Sequence, residues 1–339
     1  MRHVSLAAAA ALLCCALSQA SAAPEPDTAM TLLCDALSAP ATVSYTGVVE
    51  AIRMSREYSE ASVYRVEHRA PDLTRRIYTA PPALDGESIV TRGGTDYAID
   101  PKRHRVGEVP NDSPESREGF ARDAALIRAN YRAEVRDGES FDGRPTLSIT
   151  AVDRFTDRPL LRLRIDRDTK LVLDRQELDV NGSLRSELHF DLVRFTNVPA
   201  SDFEIPAEYT LTKAPETNRS SDIGRVARQA GFDARAPREL AEGFAPLEAD
   251  GGAISGVRDL HVLYSDGVRA ISLFESASNS APEMGPFHPK PVLVDGRSGE
   301  YAVDGATGLL SWSDGTRCYT LVGEITLPEL KLLALSLTP

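Results

Sequence analysis

Tryptophan, cysteine and positive charge are scarce in this sequence. One Trp stands among 339 residues, aromatics make up 6%, and there are four cysteines. Lys and Arg number 38 against 50 Asp and Glu, for a net charge of −12. A chain this acidic has no bulk field for nucleic acid, and it lies on an anionic membrane only where a local basic patch allows. Past the N-terminus no apolar run approaches the ~20 residues a membrane-spanning helix requires. His68, His104, His189, His261 and His288 are scattered, with no His-x-x-x-His and no cysteine pair at ligand spacing, so no metal site and no cofactor are expected. A G-x-S-x-G elbow is absent, and "TRGGTDY" has no helix behind it to hold a phosphate.

What is present is enough for two cores. The length exceeds one ordinary domain of ~100–200 residues, and 42% of residues are apolar. "MRHVSLAAAAALLCCALSQASAAP" reads as a secretory signal peptide over residues 1–22. It has a short basic start, an apolar stretch too short for a comfortable span, and Ala-Ser-Ala at the cleavage position. Cleavage removes one Arg and no acid, which leaves −13 and two cysteines, Cys34 and Cys318. In an oxidising compartment these either bridge the two ends of the chain or remain two buried thiols.

The pattern is chiefly strand. After a helical start at Thr28–Leu37, "VSYTGVVEAI", "ASVYRVEHR", "TRRIYT", "ESIVTR" and "TDYAID" are short β-branched and aromatic runs between Pro, Gly and Asp. In "VYRVEHR", Tyr64, Val66 and His68 share one face, as in a half-buried antiparallel strand. A helix opens at Ser113-Pro114-Glu115 and carries Phe120, Ala124, Ile127 and Tyr131 as an apolar stripe. A meander follows. Asp166 and Asp168 flank one of its turns as solvated charge, and Asn181-Gly182 predicts a type I′ turn. Residues 206–222 read as a linker with one edge-strand-like patch. A second domain over 223–339 begins with the helix "DIGRVARQAGF", continues as strands, and ends in "TLPELKLLALSL", where Thr326 caps a helix.

The best candidate for chemistry is "LHVLYSDGVRAISLFE", which sets His261, Ser265 and Asp266 close together. "YSDG" is echoed by "WSDG" at Trp312–Gly315, and Asp-Gly between two strands is turn chemistry. Four strand residues separate His261 from Ser265 by ~13 Å. The segment is therefore expected to be a hairpin, and a hydrolase built on Ser265 is not expected.

Taken in order, several strings resemble the RseB/MucB family of periplasmic regulators of envelope-stress sigma factors. They are "YTGVV", "YRVEHR", "FDGRP", "LRLRIDRDTKLVLDRQELDVNGSLRSELHF", "ELAEGF", "LHVLYSDGVRAISLFE" and "TLVGEITLPELKLLALSL". The resemblance implies an α+β fold. Residues 23–205 would form a half-open antiparallel β-barrel like the carriers LolA and LolB, with helices near its mouth. A smaller C-terminal α+β domain would join an antiparallel sheet to helices. It further implies a periplasmic protein without enzymatic activity. Such a protein holds the periplasmic segment of a membrane anti-sigma factor (RseA/MucA-like), shields it from proteolysis, and is released by acyl chains of lipopolysaccharide or lipoprotein. Candidate residues for lining an acyl cavity are Val48, Ile52, Tyr64, Val66, Ile77, Ile89 and Tyr97, each with ordinary core as the rival role. Motif positions that are candidates for partner binding are Tyr45, Gly47, His68, Tyr264, Asp266, Gly267, Phe274, Gly323 and Glu324. A lipid or lipoprotein carrier working through the first domain alone is the alternative, and a homodimer stays open.

Overall fold

A computed structural model of the chain describes residues 26–54, 59–110, 117–213, 219–231, 233, 235–254, 257–278, 284, 287–304 and 307–337. The signal-peptide segment and the Ser113–Glu115 start of the second helix lie outside the described residues.

Two sheets organise the chain. The first holds twelve strands in the order β12-β6-β5-β4-β3-β2-β1-β11-β10-β9-β8-β7. In chain order these are β1 (Tyr45–Met54), β2 (Ser59–Arg69), β3 (Leu73–Ala80), β4 (Ser88–Arg92), β5 (Thr95–Asp100), β6 (Arg105–Pro110), β7 (Tyr131–Phe141), β8 (Arg144–Asp153), β9 (Pro159–Asp166), β10 (Val172–Leu178), β11 (Leu184–Phe195) and β12 (Thr210–Thr212). All pairings are antiparallel except β12 on β6. Strands β7 and β12 are the two free edges, so the sheet is not a closed barrel. Helix α1 (Pro26–Ser38) precedes the sheet, and α2 (Arg117–Asn130) leads directly into β7.

The second sheet is a seven-stranded antiparallel array. Its strands are β13 (Ala245–Ile254), β14 (Val257–Ser265), β15 (Ala270–Ser276), β16 (Lys290–Val294), β17 (Arg297–Asp304), β18 (Thr307–Ser313) and β19 (Cys318–Gly323), in the order β13-β14-β15-β19-β18-β17-β16. Helix α3 (Ile223–Ala230) starts at Asp222, whose carboxylate accepts the Arg225 N–H, and ends on Gly231 at φ +81°. Helix α4 (Leu327–Leu335) is capped at Thr326, whose N–H donates to Glu329 Oε2 at 2.8 Å. These helices cover one face of the sheet, where Leu260, Val262, Tyr264, Leu273, Leu330 and Leu333 form a dry core. Burying each such side chain contributes roughly 1.5–3 kcal/mol.

In the first sheet, Leu33 of α1 packs with Ile127, Tyr131, Ile149, Leu163 and Ile165. A second cluster of Tyr45, Val49, Tyr64, Val66 and Phe190 forms around β1, β2 and β11. Segment 198–203 closes a third cluster over Val90, Ile99 and Val106.

Several local expectations change. Tyr131 opens β7 instead of extending the helical stripe, because the chain turns into the sheet at Asn130. At Asn181-Gly182 only Gly182 has positive φ, and its N–H bonds Asp179 O at 2.9 Å. That makes a turn closed by a left-handed glycine, with a register shift at Leu178, in place of a type I′ hairpin. Asp166 is fully buried, not solvated. Arg144 Nε donates to it at 2.6 Å and the Thr169 N–H at 2.8 Å, and these donors hold its carboxyl down at about 2 despite burial. Asp168 remains exposed. Cys34 and Cys318 are free buried thiols, one in α1 and one in β19, and the bridge is not formed.

Candidate functional site

The Ser-Asp-Gly segment is a hairpin tip, as its turn chemistry implies. The Asp266 N–H bonds Arg269 O at 3.2 Å, and Gly267 occupies the first central position at φ +102°. Its twin at Asp314–Arg317 has the same closure, with Gly315 at φ +92°. In both turns the aspartate precedes the turn and accepts N–H groups from the residues after it: Val268 and Arg269 in one, Thr316 and Arg317 in the other.

The two tips have opposite surroundings. Asp314 stays within the second sheet, where Tyr319 and Arg235 donate to it. Asp266 is buried against the first sheet. Tyr131 Oη donates to its Oδ2 at 2.8 Å, and Asn130 Nδ2 donates to its backbone oxygen at 2.9 Å and to Gly243 O at 3.0 Å. Val268 packs into the core around α1 and α2. A Cβ on Gly267 would stand 2.7 Å from the Ile127 backbone nitrogen, so only glycine permits this approach to α2.

Arg269 sits at the centre of this junction over the Phe244 ring, 5.1 Å from its centroid. Its Nε donates to Asp266 at 2.6 Å and its Nη1 to Glu329 at 2.8 Å, while Nη2 lies 3.5 Å from both Asp153 and Glu242. Burial pulls the guanidinium pKa down, but Asp266 more than offsets this and it ends well above its usual value. Burial pushes the Tyr131 hydroxyl well up, and Asp266 adds to the rise, so Tyr131 is a neutral donor. Burial also raises the Glu242 carboxyl. Arg269 opposes that rise, while Asp153, Glu329 and Asp266 reinforce it.

Beside this junction a cavity of about 740 Å³ opens between the sheets. Tyr45, Val49, Tyr64, Val66, Leu188 and Phe190 form its first wall, and Leu263, Val268, Ile271 and Val322 the second. Arg53, Arg76 and Arg175 line it together with Glu177 and Glu324. The Arg53–Glu324 pair bridges the sheets at 3.8 Å. An apolar hollow with charge at a few points suits an amphipathic occupant.

Of the residues singled out in the sequence, Tyr45, Tyr64, Val66, Gly267, Gly323 and Glu324 line this cavity. Val48 and Ile52 do not. Val49 pairs with Tyr64, which turns the even-numbered residues of β1 to the opposite face, opposite Arg65 and Ala61. Ile77 pairs with Arg65 on that same face, and Tyr97 packs against the cluster behind the sheet. Ile89 pairs with Arg76, one strand beyond the lining.

Gly47 lets β11 approach, since a Cβ there would meet Leu192 O at 2.5 Å. His68 is a structural pin. Pro40 O can only accept, so Nε2–H donates to it at 2.7 Å and Nδ1 takes the Thr74 hydroxyl at 2.8 Å. Tyr264 is buried in the second core, and its hydroxyl donates to Pro237 O at 2.8 Å.

Phe274 stacks on His261 at 4.5 Å. His261 also joins Asp250 (3.2 Å) to Ser272 (2.9 Å), a relay that the sequence did not reveal because it crosses three strands. Ser272 lies on β15, which is paired on both sides, so its neighbouring N–H groups are committed to the sheet ladder. Among the described residues this hydrogen-bonded row has no local backbone donors for an oxyanion. Asn130, Tyr131, Asp153, Glu242, Arg269 and Glu329 were also missed, since they meet only in the fold.

No family model matches the chain, and no curated protein matches it. Among solved structures, MucB in complex with MucA(peri) superposes with a TM-score of 0.60 at 18% identity, over 91% of this chain and 97% of that one. The MucA/MucB complex from Pseudomonas aeruginosa gives a TM-score of 0.60 at 17% identity, over 91% and 98%. MucB alone gives 0.51 at 18%, over 91% and 97%. The chain shares the two-sheet fold of MucB.

Proposed function

We propose that this chain is a periplasmic regulator without catalytic activity, working as the RseB/MucB family does. It holds the periplasmic segment of a membrane anti-sigma factor and shields that segment from proteolysis. It lets go when acyl chains of lipopolysaccharide or lipoprotein occupy the cavity between its sheets, and so controls an envelope-stress sigma factor. In this reading the first sheet acts as a half-open barrel with α1 and α2 near its mouth. Support comes from one observation above all: the fold shared along 91% of the chain is that of a protein solved with MucA bound. The cavity fits the second half of the proposal, since each methylene moved from water into an apolar wall contributes about 0.8 kcal/mol.

The test is capture of the purified periplasmic segment of a single-span anti-sigma protein by the folded full-length chain. Retention, and release on adding lipopolysaccharide, are expected. Failure of a well-folded sample to retain the segment overturns the proposal. A carrier working through the first sheet alone predicts instead that truncation near Pro215 leaves acyl binding intact. The second-sheet wall of Leu263, Val268 and Ile271 speaks against that outcome.

A further inference from the structure

The Arg269 junction is unbalanced in charge. One guanidinium faces four carboxylates drawn from separate elements: Asp266 from its own turn, Asp153 from the end of β8, Glu242 from the short turn before β13, and Glu329 from α4. Tyr131 adds a neutral donor from β7, and Asp123 of α2 lies with its backbone oxygen against Gly267. Asp266 and Glu329 hold short bonds to Arg269, whereas Asp153 and Glu242 share the remaining Nη2 at 3.5 Å. Asp153 has a second donor in the Phe155 N–H at 2.7 Å. Among the described residues Glu242 has no comparable second bond, and it sits at φ +58°. With all four acids ionised, closing the two sheets together confines a net −3.

We propose that the Asp266–Arg269 tip is an acid-tightened latch between the two sheets, in which protonation of Glu242 stabilises the closed arrangement and narrows the cavity beside it. This deepens the regulator reading, because Ser265, Gly267, Val268 and Arg269 are themselves part of the cavity wall. A latch that loosens as Glu242 ionises widens the hollow an acyl chain must enter. The sign follows from linkage. Of the causes that raise the Glu242 carboxyl, burial at the junction and the nearness of Asp153 are the ones closure supplies, so the closed form binds the proton more tightly than the open one. Closure is therefore favoured as pH falls through the raised value and gains nothing further below the ordinary carboxylate value. For one proton taken up, the closed-to-open ratio changes by at most about tenfold per pH unit.

The experiment uses the full-length protein with no partner present. Spin labels are placed at Lys102, beyond β5, and at Leu293 on the edge strand β16, both exposed. Distance distributions are then recorded from pH 8 to pH 5. The wild type should lose its long-distance population on acidification. Glu242→Gln should be closed throughout, and Glu329→Gln, which keeps an oxygen for the Thr326 N–H, should shift the same way. Arg269→Met should stay open at every pH. A wild-type distribution that ignores pH overturns the proposal, as does Glu242→Gln with the wild-type response. Because the readout needs no anti-sigma segment, failure of the latch and failure of the regulator reading are recorded separately.

Discussion

Tyr131 directs one buried hydroxyl at one buried carboxylate, and that bond joins residues 135 positions apart. Removing the donor leaves Asp266 Oδ2 with Arg269 as its remaining partner, and losing a hydrogen bond to a charged group costs about 1.5–3 kcal/mol. Tyr131→Phe should therefore lower stability by that amount in urea denaturation and expose the junction to limited proteolysis. Tyr264→Phe is a useful contrast, because it frees only a neutral carbonyl, that of Pro237 in the loop before β13. Its cost should fall near 1 kcal/mol, without loosening the junction. Asp166 offers a test in pH. Its folded pKa of about 2 lies below the ordinary 3.8, so its contribution is present above about pH 4 and is lost as pH falls through 2. Asp166→Asn should cost about 1–2 kcal/mol at pH 6, discounted for the partly exposed Arg144, and converge toward the wild type only below pH 2.

At the scale of elements the twin Ser-Asp-Gly turns show what a local pattern can and cannot reveal. Asp-Gly chemistry identifies both hairpins from sequence, because a flanking carboxylate and a left-handed glycine suffice to close them. Nothing local distinguishes the tip that stays on its own sheet from the one that plugs into the other. That difference depends on α2, which brings Ile127 and Asn130 to Gly267 and Gly243 from over a hundred residues away. The cavity wall was half legible for a similar reason. Alternation within β2 correctly grouped Tyr64 with Val66, while the phase of β1 is set by its pairing with β2 and by the bulge against β11 at Val48/Val49. The turns also predict opposite phenotypes. Asp314→Ala should destabilise the second sheet by about 1–3 kcal/mol through its lost N–H and hydroxyl partners, leaving the junction protected from hydrogen exchange. Gly267→Ala should do the reverse. Its added carbon meets the Ile127 backbone, so amides of Asn130 and Tyr131 should lose protection while the second sheet keeps its melting temperature.

Over the whole molecule, two open sheets share one hollow, and the polar junction and the apolar cavity are adjacent parts of the same interface. Neither sheet encloses the hollow alone: β1, β2 and β11 form one side, and β14, β15 and β19 the other. Such a space responds to how the sheets sit together as well as to its own lining. A saturated chain that buries about ten methylenes there would gain about 8 kcal/mol before the cost of ordering it. That gain is large enough to compete with a junction whose individual bonds contribute 1–3 kcal/mol each. The occupant's position can be fixed by filling the second wall, where Leu263 is only partly buried and faces the hollow. Leu263→Trp adds an aromatic ring there while leaving the first sheet untouched. Uptake of a fluorescent long-chain fatty acid should fall at least about tenfold, a loss of about 1.4 kcal/mol, with the far-ultraviolet circular dichroism unchanged. If Leu263→Trp takes up the probe as the wild type does, the cavity between the sheets is not where the chain binds. Retention of the anti-sigma segment by the same variant would then show whether partner binding and chain binding use separate surfaces.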